Sequence, residues 1–344
     1  MVVIRESELE RYPDWSSIFK NKNPVYLEVG IGNGEFLEWI AQNNPDKNFV
    51  GVEVSRDYFK KAVNRILKAR LKNVRLICTE GAKALCKYFS EESFSGLYLN
   101  FPDPWAKKKQ SSRRLVNDFF PWLLQSRLKL EGTFVMVTDY EPYAIEVVEN
   151  FEKCKAFAPL WKEGPLVYKL ENYYQTKYAR KWLSLGKNLY YIGFKKVKGL
   201  AIPKEVFKFY PLLEISKEDP LPLAVIESKE TNLEKVFQGL KEGILWKSGD
   251  QVIKVLNKFT GKDSILLDTV ISEGSFRQRV FVTIAPHRDG LIIKFHDATN
   301  PEPTRGAHRL VALLCKEILS LLPASKVVQH QCKKGIWQEV FSST

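Results

Sequence analysis

The sequence predicts an α/β protein built on a mostly parallel, doubly wound sheet, with a smaller α+β region after it. Three observations carry that prediction. From Pro24 to about Lys196, short β-rich runs alternate with helical patterns, the order that lays crossover helices over parallel strands. Gly30, Gly32 and Gly34 fall where the first β run turns into the first helical pattern. After KKVKGL (195–200) the texture changes to repeated prolines and then to β-like segments separated by turns.

The runs follow in order. VYLEVG (25–30) reads as the first strand and GEFLEWIAQNN (34–44) as the helix after it. NFVGVEVS (48–55) is a second strand, and RDYFKKAVNRILKARL (56–71) is a helix with apolar residues at helical spacing. VRLICT (74–79) and SFSGLYLN (93–100) are the third and fourth strands. A helix is expected around 113–128, a fifth strand at EGTFVMVT (131–138), a helix at 141–152 and a late strand at NLYYIGFKKV (188–197). Pro203, Pro211, Pro220 and Pro222 suit a connector rather than a sheet interior. The expected organisation is therefore a first domain over 1–199, a Pro-rich connector over 200–223 and a C-terminal α+β domain over 224–344. That last region contains the β-like stretch 263–297 and the helix 308–322.

With 44% hydrophobic and 12% aromatic residues in 344, the chain can bury a substantial core. Its longest apolar stretch, LVALLCKEILSLL (310–322), is interrupted by charge and too short to span a bilayer. The first residues carry charges where a secretory signal needs an apolar segment. Five cysteines, an odd number without CxxC spacing, point to reduced thiols and a cytoplasmic setting. All four histidines lie beyond residue 286, but no histidine or cysteine cluster has the spacing of a zinc site, so no metal is expected. A net charge of +13 favours an anionic partner, of which nucleic acid is the commonest.

The chemistry concentrates at the carboxyl ends of the expected strands, where open α/β sheets bind ligands. Glycines in LEVGIGNGEF (27–36) let backbone pass close to a ligand at a helix N-terminus. Their spacing is GxGxG, not the GxGxxG of dinucleotide folds. Glu28 stands just before them; a pyrophosphate would be repelled there, whereas a ligand with an ammonium group would be attracted. Glu53, about 20 residues further on, suits the paired hydroxyls of a ribose. Glu80 follows the third strand, where such folds often meet adenine, and Asn100 closes the fourth. These features favour S-adenosylmethionine over a nicotinamide cofactor.

NFPDPWAKKKQSSRR (100–114) comes next. Pro102 and Pro104 fix two φ angles around Asp103. Trp105 offers a face for a base, and Lys107, Lys108, Lys109, Arg113 and Arg114 offer phosphate contacts. In VTDYEPY (137–143), Asp139 is a substrate contact, the N-cap of the following helix, or both. ENYYQTKYARKW (171–182) is basic and aromatic; it reads as a base-contacting segment around Thr176 or as a plain amphipathic helix.

Together EVGIGNG, GVEVS, NFPDPWAKKK, VTDYEPY, TKYARK and NLYYIGFKK resemble the bacterial tRNA (guanine-N7)-methyltransferases over roughly the first 197 residues. The resemblance does not reach the C-terminal region, which reads as an addition that holds more of the tRNA or braces the catalytic domain thermally. What it implies is a Rossmann-like class I S-adenosylmethionine-dependent methyltransferase fold. It also implies methyl transfer to N7 of guanosine 46 in the tRNA variable loop, by a monomer or homodimer. By the same resemblance Glu28, Glu53 and Glu80 bind the cofactor with the glycines, and Asp103 is catalytic and lies against it. Lys107, Asp139, Thr176, Lys177, Tyr178 and Ala179 fall at substrate-binding positions. Two residues depart from the family pattern: Gln110 where it has histidine, and Ala179 where it has a glutamate. Rival readings are an amino-methyltransferase acting on another RNA or DNA base, whose turn carries proline where Asp103 stands, and a non-catalytic RNA-binding protein on the same fold.

Overall fold

The computed structural model describes residues 2–229, 232–288 and 290–342, apart from the side chains of Lys108 and Ser112. It divides into two compact units, residues 1–206 and 207–344.

The first unit holds a sheet of β1 (Val25–Val29), β2 (Asn48–Val52), β3 (Val74–Ile77), β4 (Phe94–Asn100), β5 (Leu128–Thr138), β6 (Phe157–Pro159), β7 (Leu166–Val167) and β8 (Tyr190–Lys196). The order is β3-β2-β1-β4-β5-β8-β6, with β7 also beside β8. The first five strands are parallel, and β8 runs antiparallel to β5. Because β1 pairs with both β2 and β4, the winding reverses between β1 and β4. Open α/β sheets bind their ligands beside such a switch point, at the strands' carboxyl ends.

Helix Glu35–Asn43 places Phe36, Leu37 and Ile40 on one face, and helix Arg56–Lys68 does the same with Phe59, Ala62 and Ile66. Both faces share a core with Phe49, Val74 and Leu76 of β2 and β3. A second core centres on Phe151, whose ring stacks at 4.6 Å on both Phe134 and Phe194. Helix Gly81–Tyr88, between β3 and β4, was not expected from the sequence; it buries Ala84, Leu85 and Tyr88.

The helix expected around 113–128 begins only at Phe120 and ends at Arg127. A 3-10 turn over Lys108–Arg113 precedes it. Two local facts delay the start. Asn117 Oδ1 accepts from the Phe119 backbone N–H at 2.9 Å, and Pro121, which lacks an N–H, fits only the first helical turn.

The second unit is a sheet ordered β10-β11-β12-β13-β14-β9-β15. Its strands are β9 (Leu223–Glu227), β10 (Gly243–Ser248), β11 (Gln251–Thr260), β12 (Ile265–Glu273), β13 (Phe276–His287), β14 (Gly290–Phe295) and β15 (Lys326–His330). Helix Arg305–Leu321 supplies Leu310, Leu314 and Ile318 to a core shared with Leu267, Val282 and Ile293. No described helix is long and apolar enough to cross a membrane. No group of three or more metal-ligating side chains occurs among the described residues.

Candidate active site

The switch point brings Glu28, near the end of β1, beside Asn100, the last residue of β4. Glu28 is 2% exposed, and its Oε1 accepts from Asn100 Nδ2 at 3.0 Å. Its Oε2 is buried without a hydrogen-bond partner. Burial pushes this carboxyl up to about 8, with the Glu53 charge adding to the rise and the Asn100 bond opposing it. A buried polar atom left unpaired, protonated or not, costs about 1–3 kcal/mol. The site is therefore incomplete without a cation or donor.

The turn after β1 carries positive φ at Gly30 (+71°) and Gly32 (+54°). A Cβ at either would meet no atom within 4 Å, so it is φ rather than crowding that demands glycine there. Glu53 braces this turn. Its Oε2 accepts from Gly32 N at 2.9 Å and its Oε1 from Ser55 N at 2.8 Å, which leaves each oxygen a further lone pair for a ligand hydroxyl. Gly34 begins the next helix and packs against Ala62. Glu80 is exposed at the N-cap position of helix Gly81–Tyr88, where its side chain makes no capping bond.

These residues fit S-adenosylmethionine. The unpaired Oε2 of Glu28 would hold its ammonium, Glu53 its ribose hydroxyls and the glycine turn its backbone-facing side.

Beyond β4 the chain makes the turn around Asp103. Phe101 and Trp105 take positive φ (+51° and +40°), unusual for residues with side chains. Such backbone costs on the order of 1–3 kcal/mol per residue and persists only where its surroundings enforce it. Phe101 is held by its backbone N–H donating to the Val137 carbonyl at 2.7 Å and by its ring 4.8 Å from that of Tyr178, and Trp105 by Arg114. Its Nε donates to the Pro104 carbonyl at 2.7 Å, NH2 lies 3.5 Å from the Trp105 carbonyl oxygen, and NH1 pairs with Glu146. The guanidinium also lies 4.8 Å from the centre of the Tyr143 ring. Arg114 is only 7% exposed, which corrects the expectation that it contacts phosphate: its charge is directed inward and holds the turn. Asp103 itself is exposed.

Lys107, Lys109 and Arg113 are exposed on the same segment, while the side chain of Lys108 lies outside the described residues. The Arg113 guanidinium lies 5.0 Å from the Trp105 ring centroid, covering the face expected to receive a base.

Asp139 is not the helix N-cap. Tyr140 holds that position without a side-chain bond, and Asp139 Oδ2 instead accepts from the Tyr178 hydroxyl at 3.1 Å. Thr176 caps helix Lys177–Ser184, its Oγ1 accepting from Ala179 N at 3.2 Å. Ala179 is 3% exposed and packs with Val137, Leu189 and Tyr191. Its methyl is a core group, so it is corrected from a substrate contact to a packing position. The Lys177 backbone N–H donates to Glu35 Oε2 at 2.8 Å, which ties this segment to the helix after the glycine turn.

Sequence reasoning missed Glu35, Tyr143, Glu146 and Tyr173. Tyr143 and Glu146 are three residues apart on one helix, so they share a face; that spacing was the available signal. Tyr173 had only its place in an aromatic segment.

The family described as "Putative methyltransferase" matches residues 22–192. The tRNA (guanine-N(7)-)-methyltransferase of Thermotoga maritima is 31% identical over 318 residues, covering 88% of this chain and 94% of that one. The enzyme of the same name from Coprothermobacter proteolyticus is 29% identical over 92% of this chain and 93% of its own. The one from Geobacter metallireducens is 30% identical over 193 residues, 56% of this chain and 92% of its own. The first two alignments are too long to end within the first unit. That corrects the reading of the C-terminal region as lying outside the resemblance, since some relatives share it and others lack it. With the glycine turn, the buried Glu28 and the braced Asp103 turn on the matched stretch, the chain belongs to the tRNA (guanine-N(7)-)-methyltransferase family.

Proposed function

We propose that this chain methylates N7 of guanosine 46 in the variable loop of tRNA, as a cytoplasmic monomer or homodimer. One observation carries the reading: the unpaired buried oxygen of Glu28 and the exposed Asp103 lie at the carboxyl ends of neighbouring strands, the latter on a turn clamped by Arg114. S-adenosylmethionine, when bound, supplies a methyl group on a sulfonium.

Guanine N7 holds a free lone pair and carries no proton, so the reaction needs no general base. The protein's task is orientation. Asp103 faces the purine and stabilises the positive charge that develops on it. Lys107, Lys109 and Arg113 hold phosphates around the target, while Asp139 and the Thr176–Tyr178 segment shape the pocket for the base.

Incubation with an unmodified tRNA transcript and methyl-labelled cofactor, then nuclease digestion and mass spectrometry, tests the proposal. Label at N7 of position 46 supports it; label on an exocyclic amine, or none on any tRNA, refutes it. Asp103→Ala is expected to bind cofactor and lose most of the transfer rate.

A further inference from the structure

We infer that Tyr173 is a positioning residue for Glu28, the carboxylate assigned to the cofactor's ammonium, acting through the amide of Asn100. The inference rests on the cofactor reading above and extends it to a residue distant in sequence from the strand ends. The Tyr173 hydroxyl donates to Asn100 Oδ1 at 2.8 Å, and Asn100 Nδ2 donates onward to Glu28 Oε1 at 3.0 Å. The three groups form one relay across more than 140 residues of sequence.

An amide has a donor end and an acceptor end and can flip between them. Here the direction is dictated from outside. Burial raises the Tyr173 phenol well above its ordinary range, so it stays protonated and donates. The Asn100 oxygen then turns to Tyr173 and its NH₂ to Glu28. Without the hydroxyl, Asn100 Oδ1 loses its donor, and the amide is free to turn that oxygen toward Glu28 whenever the Glu28 carboxyl is protonated. With it, Oε1 of Glu28 is engaged and Oε2 is left for a ligand.

The phenol is held as firmly as the amide it directs. Its ring lies 5.0 Å from Phe36, on the helix after the glycine turn, and meets Tyr191 edge-on at 5.7 Å. Tyr174 stacks at 5.7 Å on Trp39 of the same helix. The segment that continues into Thr176 thus reaches Glu28, through Asn100, from within its own packing.

Tyr173→Phe in the full chain removes one oxygen and keeps the ring. Calorimetric titration with S-adenosylmethionine is expected to show binding weakened roughly 5- to 10-fold, the size of one neutral hydrogen bond. Affinity for tRNA and the melting temperature should stay near the unsubstituted protein's. Asn100→Asp, which sets a second carboxylate against Glu28, should weaken the cofactor further. Unchanged cofactor affinity in either variant overturns the relay and leaves the proposed function standing. Equal losses of cofactor and tRNA affinity with a lowered melting temperature overturn it too, because the tyrosine would then only support the fold. Failure of the unsubstituted protein to bind the cofactor would refute the cofactor reading itself, and this inference with it.

Discussion

Arg114 Nε donates to the carbonyl of Pro104 at 2.7 Å, reaching back ten residues to hold the turn that presents Asp103. Neighbouring arginines therefore do opposite jobs. Arg113 lies outside on the Trp105 ring, and Arg114 lies inside with Glu146 and Tyr143. Arg114 thereby sustains the positive φ at Trp105 without glycine.

Arg114→Ala releases two backbone carbonyls and leaves Glu146 without its partner. The expected result is a fall in kcat of about 100-fold, because displacing a reacting group by about 1 Å costs that much. KM for tRNA should change far less. Stability should drop by about 2–3 kcal/mol, at or below the usual cost of breaking a buried pair because Glu146 is partly exposed. Steady-state kinetics with a denaturation curve checks both. A raised KM with kcat preserved would return Arg114 to the phosphate contacts.

Arg113→Ala should behave in the reverse sense. Its guanidinium is exposed, so on the proposed reading its removal should take away one phosphate contact and leave the turn intact. Affinity for tRNA should weaken, and the slope of log affinity against log salt should lose about one unit. kcat at saturating tRNA should hold. Lys107→Ala and Lys109→Ala are expected to follow the same pattern.

On the proposed reading, Glu28 is expected to make cofactor binding pH-dependent. Its carboxyl rises from an ordinary 4.5 to about 8 in the folded, ligand-free protein. Between those values the folded state binds a proton that the unfolded state has released, so this group's contribution to stability declines as pH rises and is lost through about pH 8. A cationic ligand favours the ionised form. Cofactor affinity should therefore increase with pH toward about 8 and then level off, with a proton released on binding below that value. Glu28→Gln should give a ligand-free protein whose melting temperature declines less through that window, the rest coming from Glu273 and Glu317, whose carboxyls burial also raises, and whose cofactor binding is weak and flat with pH. Titration calorimetry in buffers of different ionisation enthalpy measures the released proton directly. A pH-independent affinity in the unsubstituted protein would refute this.

β1 to β5 and β8 were legible because each is an apolar run bounded by turn residues, and they follow the expected order. By contrast, β6 and β7, of three and two residues, are too short to leave such a signal. The glycines, Glu28 and Glu53 were legible because strand ends and glycine turns have fixed sequence positions. Arg114 was not. A cation beside four others looks like a surface charge, and only the fold could bring the Pro104 and Trp105 carbonyls within its reach. Ala179 failed for a related reason, since its role is defined by Val137, Leu189 and Tyr191, distant in sequence and adjacent in the core. The Tyr173 relay joins three chain segments, and no local pattern encodes it.

Thr176 offers a test that separates capping from substrate contact. Its Oγ1 already accepts from Ala179 N, but its hydroxyl hydrogen remains available to donate to a bound base. Thr176→Val removes both functions and should cost about 1 kcal/mol of stability through the lost cap. Thr176→Asp keeps an N-cap acceptor and removes the donor. Its melting temperature should match the unsubstituted protein's, while its kcat/KM for tRNA should fall about tenfold, the loss of a single hydrogen bond to substrate. If Thr176→Asp keeps full activity, the hydroxyl serves only the helix.

In the second unit, Gly306 sits where helix Arg305–Leu321 meets Glu273. Its N–H donates to Glu273 Oε1 at 2.6 Å, and a Cβ added there would come within 2.6 Å of both the Glu273 carboxyl carbon and Ile271 Cγ2. Both neighbours are buried, Glu273 at 3% exposure and Ile271 at 0%, so neither can swing into solvent. Gly306→Ala must therefore shift the start of a helix that supplies much of this unit's core. The expected cost is about 1–3 kcal/mol, the range for overpacking a well-filled interior. Cofactor affinity at 25 °C should be unaffected, since no residue assigned to the site lies beyond Ala179. Calorimetric melting and cofactor titration on the same sample read the two effects separately. A melting temperature within a degree of the unsubstituted protein's would mean that the helix start yields cheaply and that the Glu273 bond does not fix it.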